Sequence, residues 1–454
     1  MPALTSVKYS NNKLKKILTI SGIAAGAVAV IVTGVILVQR SGILGKKKDT
    51  DRKDYKMTSE MSQVTLESDI HTGYMFSRMT KVLMEDRGTD PWVLSWYIIP
   101  GTTRSVPQMQ SQYVDSMDQV LLLESYVEEG KRSQAETLMK AIDQDLVMDN
   151  GLLCAYIVKE NPNESEEVKA ERLAYEDPVK LLQEKAPVSM TASYRYLRAL
   201  LNYYDKWGNT ALLDRIEDLT SKLYASEFQT AYKAADQMAR PTPIPVTEKS
   251  MVTPIPEEED EPTGVVSLEG IELSSLDLEA LRRATVLFPE QKDKFDELVK
   301  IVKGGKISDT LPLYAWMYMR DGEYAYYTGS EMNVELVPSL YVMVYLAEIG
   351  ELDSSGYAWI AEKIYNDGFL NTSYNIISGE ASSEEEASEA YPLVLYLSII
   401  KEDDALFEAT YSAMMRHYAT LDSSQALYTF FRDVENSRVA VFARENLLMK
   451  LILR

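Results

Sequence analysis

From about Ser68 onward, apolar residues recur three and four positions apart in nearly every segment. The spacing runs through IHTGYMFSRMTKVLM, VLLLESYV, AETLMKAI, YRYLRALLNYY, ALLDRIEDLTSKLY, FDELVKIV, PSLYVMVYLAEIG, YAWIAEKIY, YPLVLYLSII and LFEATYSAMM. It places the apolar side chains on one face of a helix, so each run predicts one. Gly130, Gly208, Gly350 and Gly368 close several of the runs, as helix C-caps do. Alternating strand patterns are scarce. The chain therefore reads as all-α, its helices pairing as hairpins, with no fixed 34-residue repeat of the tetratricopeptide kind.

Two stretches break the pattern. Residues 240–264 hold six prolines and an acidic cluster at Glu257–Glu261, which prevents a packed helix. They are either a linker between two helical halves or an insertion within one barrel. Near the N-terminus, 22 uncharged residues from Ile17 to Val38 follow Lys13, Lys15 and Lys16. As a helix this run would be about 33 Å long, enough to cross a bilayer. A basic segment follows it rather than a cleavage site, which favours an uncleaved anchor. The expected order is a basic cytoplasmic tail at 1–16, an anchor at 17–38, a polar tether at 39–67 and a helical domain at 68–454. Lys46, Lys47, Lys48, Arg52 and Lys53 after the run would, by the positive-inside count, hold the domain in the cytoplasm. The short N-terminal tail and the scarcity of cysteine favour the opposite side. The expectation is a single-pass cell-membrane protein with its large domain outside the cytoplasm.

Charge and rare residues narrow the chemistry. The 454 residues carry a net −22, while residues 1–54 alone carry +7, leaving −29 on the rest. Such a surface disfavours nucleic acid. Cys154, the only cysteine, sits in the apolar run GLLCAYIV and reads as a buried small hydrophobe. With His71 and His417 the only histidines, a Cys/His zinc site and a Ser-His-Asp triad are not expected, nor is any cofactor.

Three short stretches carry a resemblance. YVDSMDQVLLLESYVEEG opens a helix at Ser116-Met117-Asp118-Gln119, and Gly130 falls thirteen residues past Met117. SMTASYRYLRALL places Thr191 and Ser193 before a helix rich in Tyr and Leu. Met332-Asn333-Val334-Glu335-Leu336-Val337-Pro338 lies further on. In order and spacing these resemble glycoside hydrolase family 8, whose motifs are Ser-Glu-Gly-Gln, Ala-Thr-Asp-Ala-Asp and Tyr-Asp-Ala-x-Arg-Val-Pro. The resemblance covers roughly 70–454 and implies an (α/α)6 barrel whose two carboxylates cleave a glycosidic bond. Here Met117 stands for the acid, Asn333 for the base, Thr191 and Ser193 for two Asp, and Leu336 for the Arg. A thioether donates no proton and an amide accepts none from water at neutral pH. Asp115, Asp118 and Glu335 are the carboxylates near enough to stand in. A plainer reading makes Asp115 to Gln119 a helix cap and nothing more.

Binding a sugar asks for less than cutting one: aromatic faces and hydrogen-bonding groups in a cleft. Trp92, Trp96, Tyr97, Trp316, Tyr326 and Tyr327 are candidates, with Gln119 and Tyr194 from the matched stretches. Aromatics at helical spacing also serve as core. The expectation is a membrane-anchored carbohydrate-binding or assembly factor for a cell-surface polysaccharide, catalytically degenerate, with synthesis or export proteins as partners. Its rivals are an active glycosidase using the displaced carboxylates and a helical scaffold for protein partners.

Overall fold

Two hydrophobic patterns give two kinds of helix. The helix at Ser116–Glu128 buries eleven of its thirteen residues, and that at Leu336–Ile349 buries all but three of fourteen. Helices apolar on every side must be enclosed by others. By contrast, the helix at Arg132–Asp145 buries only Ala135, Leu138 and Ile142, a single stripe. Enclosed and striped helices alternate along the chain, as stacked hairpins require.

The computed structural model describes residues 48–67, 91–100, 109–162, 164–176, 185–234, 265–325, 333–434 and 438–453. Among them are thirteen α-helices: α1 (Ser59–Glu67), α2 (Ser116–Glu128), α3 (Arg132–Asp145), α4 (Glu166–Leu173), α5 (Met190–Trp207), α6 (Leu213–Ala225), α7 (Leu278–Leu287), α8 (Lys292–Gly304), α9 (Leu336–Ile349), α10 (Ser354–Asp367), α11 (Ala390–Lys401), α12 (Asp404–Met414) and α13 (Ala443–Ile452). Six of these close a ring, each packing on the next in the order α2, α5, α7, α9, α11, α13 and back to α2. Outside it, α3 packs on α2, α6 on α5, α8 on α7 and α12 on α11, with α10 against α12. The (α/α)6 expectation holds for this ring.

Short strands, unexpected from the sequence, decorate the helix starts. They are β1 (Trp96–Pro100), β2 (Met109–Gln110), β3 (Tyr113–Asp115), β4 (Tyr156–Val158), β5 (Gln229–Ala234), β6 (Val265–Glu272), β7 (Met317–Met319), β8 (Tyr324–Ala325), β9 (Asn333–Glu335), β10 (Ser373–Asn375), β11 (Arg432–Val434) and β12 (Arg438–Phe442). They form two four-stranded sheets, β11-β12-β1-β2 and β5-β6-β7-β8, and two antiparallel pairs, β3 with β4 and β9 with β10. β3, β9 and β12 each run directly into an inner helix. β5 and β6 pair antiparallel from Gln229 with Gly270 to Ala234 with Val265. Residues 240–264 lie outside the described residues, but their flanks are partners in one sheet. The Pro-rich stretch is thus an insertion rather than a linker between halves.

One boundary moves. The polar stretch expected to be a tether packs on the domain over its described part, 48–67. Met61 in α1 is fully buried, as is Thr50. Lys48 N–H donates to Tyr204 Oη at 2.7 Å, and Thr50 Oγ1 to Asp205 at 2.5 Å. Arg52 pairs with Glu128 at 2.8 Å, and Tyr55 Oη donates to Glu348 O at 2.9 Å. Hydrophilic composition misled here, because the partners are polar groups at the ends of the inner helices. The run Ile17–Val38 lies outside the described residues, and no described helix is long and apolar enough to cross a membrane.

Candidate functional site

The starts of the inner helices meet at one end of the ring. There a cleft of about 530 Å3 is lined by Thr191 of α5, Ser274 before α7, Glu335, Val337 and Pro338 of the β9–α9 junction, Tyr341 of α9, Thr372 before β10, Ser373 at its start, Glu389 before α11 and Arg444 of α13. Carboxylates gather where helix N-termini place positive partial charge. Tyr341 supplies the aromatic wall; burial pushes its phenol up to about 12.

Asp115 and Glu335 hold the same place in two repeated strand-to-helix junctions. Asp115, the last residue of β3, caps α2 by accepting from Met117 N at 3.0 Å. Glu335, the last residue of β9, makes no such side-chain cap. Its extra methylene suits it less to folding back on its own helix, and the carboxylate lines the cleft instead. Across the cleft, Arg444 donates from Nη2 to Asp115 at 2.8 Å and from Nε to Asp118 at 3.1 Å. Burial works against its charge, and the two aspartates more than offset that, holding the guanidinium above its ordinary range. An ion-paired carboxylate has no proton to donate, so neither aspartate is placed as a general acid.

The matched positions separate. Thr191 lines the cleft. Met117 is 3% exposed and belongs to the core. Ser193 is fully buried, accepting from Leu153 N at 2.9 Å and donating to Ser189 O at 2.7 Å. Leu336 is fully buried. Asn333 opens β9 opposite Asn375, and its Oδ1 is buried without a hydrogen-bond partner among the described residues.

Most of the expected sugar-binding residues prove structural. Gln119 exchanges hydrogen bonds with Val93, accepting from its N at 3.0 Å and donating to its O at 2.7 Å, and so pins the segment before β1. Trp92 and Trp96 are each 4% exposed, and Trp96 Nε1 donates to buried Glu176 at 3.3 Å. Tyr97 and Tyr194 are fully buried, and Trp316 Nε1 donates to Glu272 at 3.1 Å. Rings enclosed on both faces cannot stack on a sugar. Tyr326 and Tyr327 lie outside the described residues. Cys154 is buried as expected, and burial pushes its thiol up.

Sequence reasoning missed Tyr341, Thr372, Ser373, Glu389 and Arg444. A shared pattern could have flagged Arg444: YVDSMDQVLLL, NVELVPSLYV and VAVFARENLLM each run from a short strand through a charged residue into an apolar helix. Among the described residues no group of three His, Cys, Asp or Glu is placed to hold a metal ion.

The ring and its cleft can now be set beside known structures. The chain is similar to an alpha-amylase from Clostridium perfringens, with a TM-score of 0.59 and 19% identity over 84% of this chain and 95% of that one. It is also similar to PssZ from Listeria monocytogenes, at 0.50 and 8% identity over 88% of this chain and 97% of that one. Endoglucanase Cel10, a family 8 glycosyl hydrolase from Klebsiella pneumoniae, is a looser likeness at 0.46, with 11% identity over 75% of this chain and 98% of that one. The likeness to the first two is one of fold, an (α/α)6 ring. No family profile and no curated protein matches the sequence.

Proposed function

We propose that this chain is a carbohydrate-binding protein built on a glycosidase fold that has lost its catalytic acid and base. The observation that carries the reading is the pairing of Asp115 and Asp118 with one guanidinium, beside a buried Met117. The cleft retains what binding needs: the hydroxyls of Thr191, Ser274, Thr372 and Ser373 and the Tyr341 ring. The apolar run 17–38 supports a single-pass anchor, with the domain outside the cytoplasm. In that setting the ligand is a cell-surface polysaccharide, and the role is in its assembly or export beside synthesis or export proteins.

A second reading, an active glycosidase, is favoured by Glu335 in the cleft. One experiment separates the two. The full chain is titrated with oligosaccharides from α- and β-linked glucans, glucosamine polymers and xylans, and assayed for new reducing ends. Binding near millimolar, about 4 kcal/mol, without reducing ends is the expected result. Turnover that vanishes in Glu335→Gln would establish the active enzyme. Absence of both binding and turnover would leave a scaffold for protein partners.

A further inference from the structure

The strap formed by residues 48–67 and the cleft occupy opposite ends of the ring. The strap's partners are Tyr204 and Asp205 near the end of α5, Glu128 at the end of α2 and Glu348 near the end of α9. Tyr55 also packs edge-on against Tyr396 of α11, ring centroids 6.3 Å apart. With Asp51 paired to Arg282 of α7, and counting the Leu451 and Ile452 side chains of α13 that share a cavity with the strap, all six inner helices are reached. The thirteen residues of α2 separate this end from the cleft by about 20 Å.

We propose that the strap seats the domain on an anionic membrane surface with its C-terminal mouth toward the lipid, so that the cleft opens away from the bilayer. This rests on reading Ile17–Val38 as an anchor. Nine residues separate Val38 from Lys48, and the connection from Val38 to Lys48 spans at most about 36 Å even fully extended. Lys48 is already fastened to α5. A connection that short, ending on a fixed strap, leaves the domain little freedom to turn over.

Charge favours the same seating. Among the acids of residues 46–56, Asp51 pairs with Arg282, Asp54 with Arg52 at 2.9 Å, and Asp49 accepts from the Asp51 N–H; six Lys and Arg against these three Asp leave the stretch at +3. Lys48, Lys53 and Lys56 are exposed. Lys46 and Lys47 precede them in sequence. A chain of net −22 thus presents a basic segment at the end where its anchor would emerge, and anionic headgroups attract such segments.

The test uses the full chain in vesicles containing an anionic phospholipid and an acceptor dye on the headgroups. Cys154→Ala removes the only cysteine, and a donor dye is placed at Lys53→Cys on the strap or at Ile377→Cys. Ile377 is 64% exposed and lies two residues past β10, on the cleft side. Transfer from position 53 should exceed that from 377 by about twofold or more, given the ~20 Å offset. Releasing the strap with Thr50→Val and Tyr55→Ala should erase the difference. Co-flotation with equal or reversed transfer would overturn the orientation and leave the anchor standing. Failure of the chain to co-float would remove the anchor, and the orientation with it. A difference that survives strap release would show that the strap does not set it.

Discussion

At one mouth of the ring, inner-helix starts surround an open cleft; at the other, residues 48–57 lie across the helix ends. Both mouths carry arginine–carboxylate pairs, in different surroundings. In the cleft, the Arg444 side chain is 37% exposed, while its partners Asp115 and Asp118 are 13% and 3% exposed. Inside the ring, Arg198 is 8% exposed, and its partners Asp277 and Glu348 are 0% and 2% exposed. Burial alone would push the Asp277 carboxyl up, but Arg198, with Arg195 and the Ala280 N–H, brings it below the usual range. Arg198 also sits 5.7 Å from the Tyr345 ring centre, and Tyr396 Oη donates to Glu348 at 2.9 Å. Water reaches the Arg444 guanidinium and softens the loss of that pair, whereas breaking the Arg198 cluster strands two carboxylates away from water. The Arg198 cluster therefore does more than the Arg444 pair to hold the ring together.

The sharpest way to break this contrast is Arg198→Met. It strands Asp277 and Glu348 and should cost about 3–5 kcal/mol in urea unfolding. Arg444→Met leaves Asp118, 3% exposed, without its cation, and should cost less only to the extent that water reaches Asp115 and the vacated guanidinium position. Equal losses would mean that the two mouths do not differ in this way. Next in size is Met61→Ala, which truncates the buried anchor of α1 and should cost about 3 kcal/mol. A loss below ~0.5 kcal/mol would show that residues 48–67 do not belong to the cooperative unit.

The smallest expected effect sharpens the picture of the closed end through pH. Lys450, in the last turn of α13, pairs with Glu129 just past α2. Burial pulls its amine down to about 8, against the attraction of Glu129. The unfolded chain, with an ordinary lysine, then binds more protons between about pH 8 and 10.5, so this group's contribution to stability rises with pH across that window. It is unfavourable below it. Stability curves of wild type and Lys450→Met should diverge by on the order of 2 kcal/mol from one side of the window to the other. Parallel curves would place the Lys450 amine in water.

The helices were legible in the sequence because burial follows their period. α2 and α9 are apolar nearly all round, α3 along one stripe, and the structure sorts them accordingly into inner and outer. The strands were not legible. YVD and NVE span three residues each, too short for alternation to register. Candidate carboxylates could be seen beside the matched motifs, but their fate could not. Asp118 meets Arg444 across 326 positions, and nothing local announces that pair. The aromatic candidates failed for a related reason: Trp96 and Tyr97 look alike in composition to a sugar platform, and only packing shows both to be enclosed.

The ring's closure also bears on how the chain is made. α2 is completed by the packing of α13, which leaves the ribosome roughly 300 residues later, some 15–60 s at ordinary rates of synthesis. Through that interval Leu121, Leu122 and Leu123 have only α3 and then α5 for shelter. The nascent chain is thus an open arc with a sticky inner edge, and its assembly is decided by the element that arrives last.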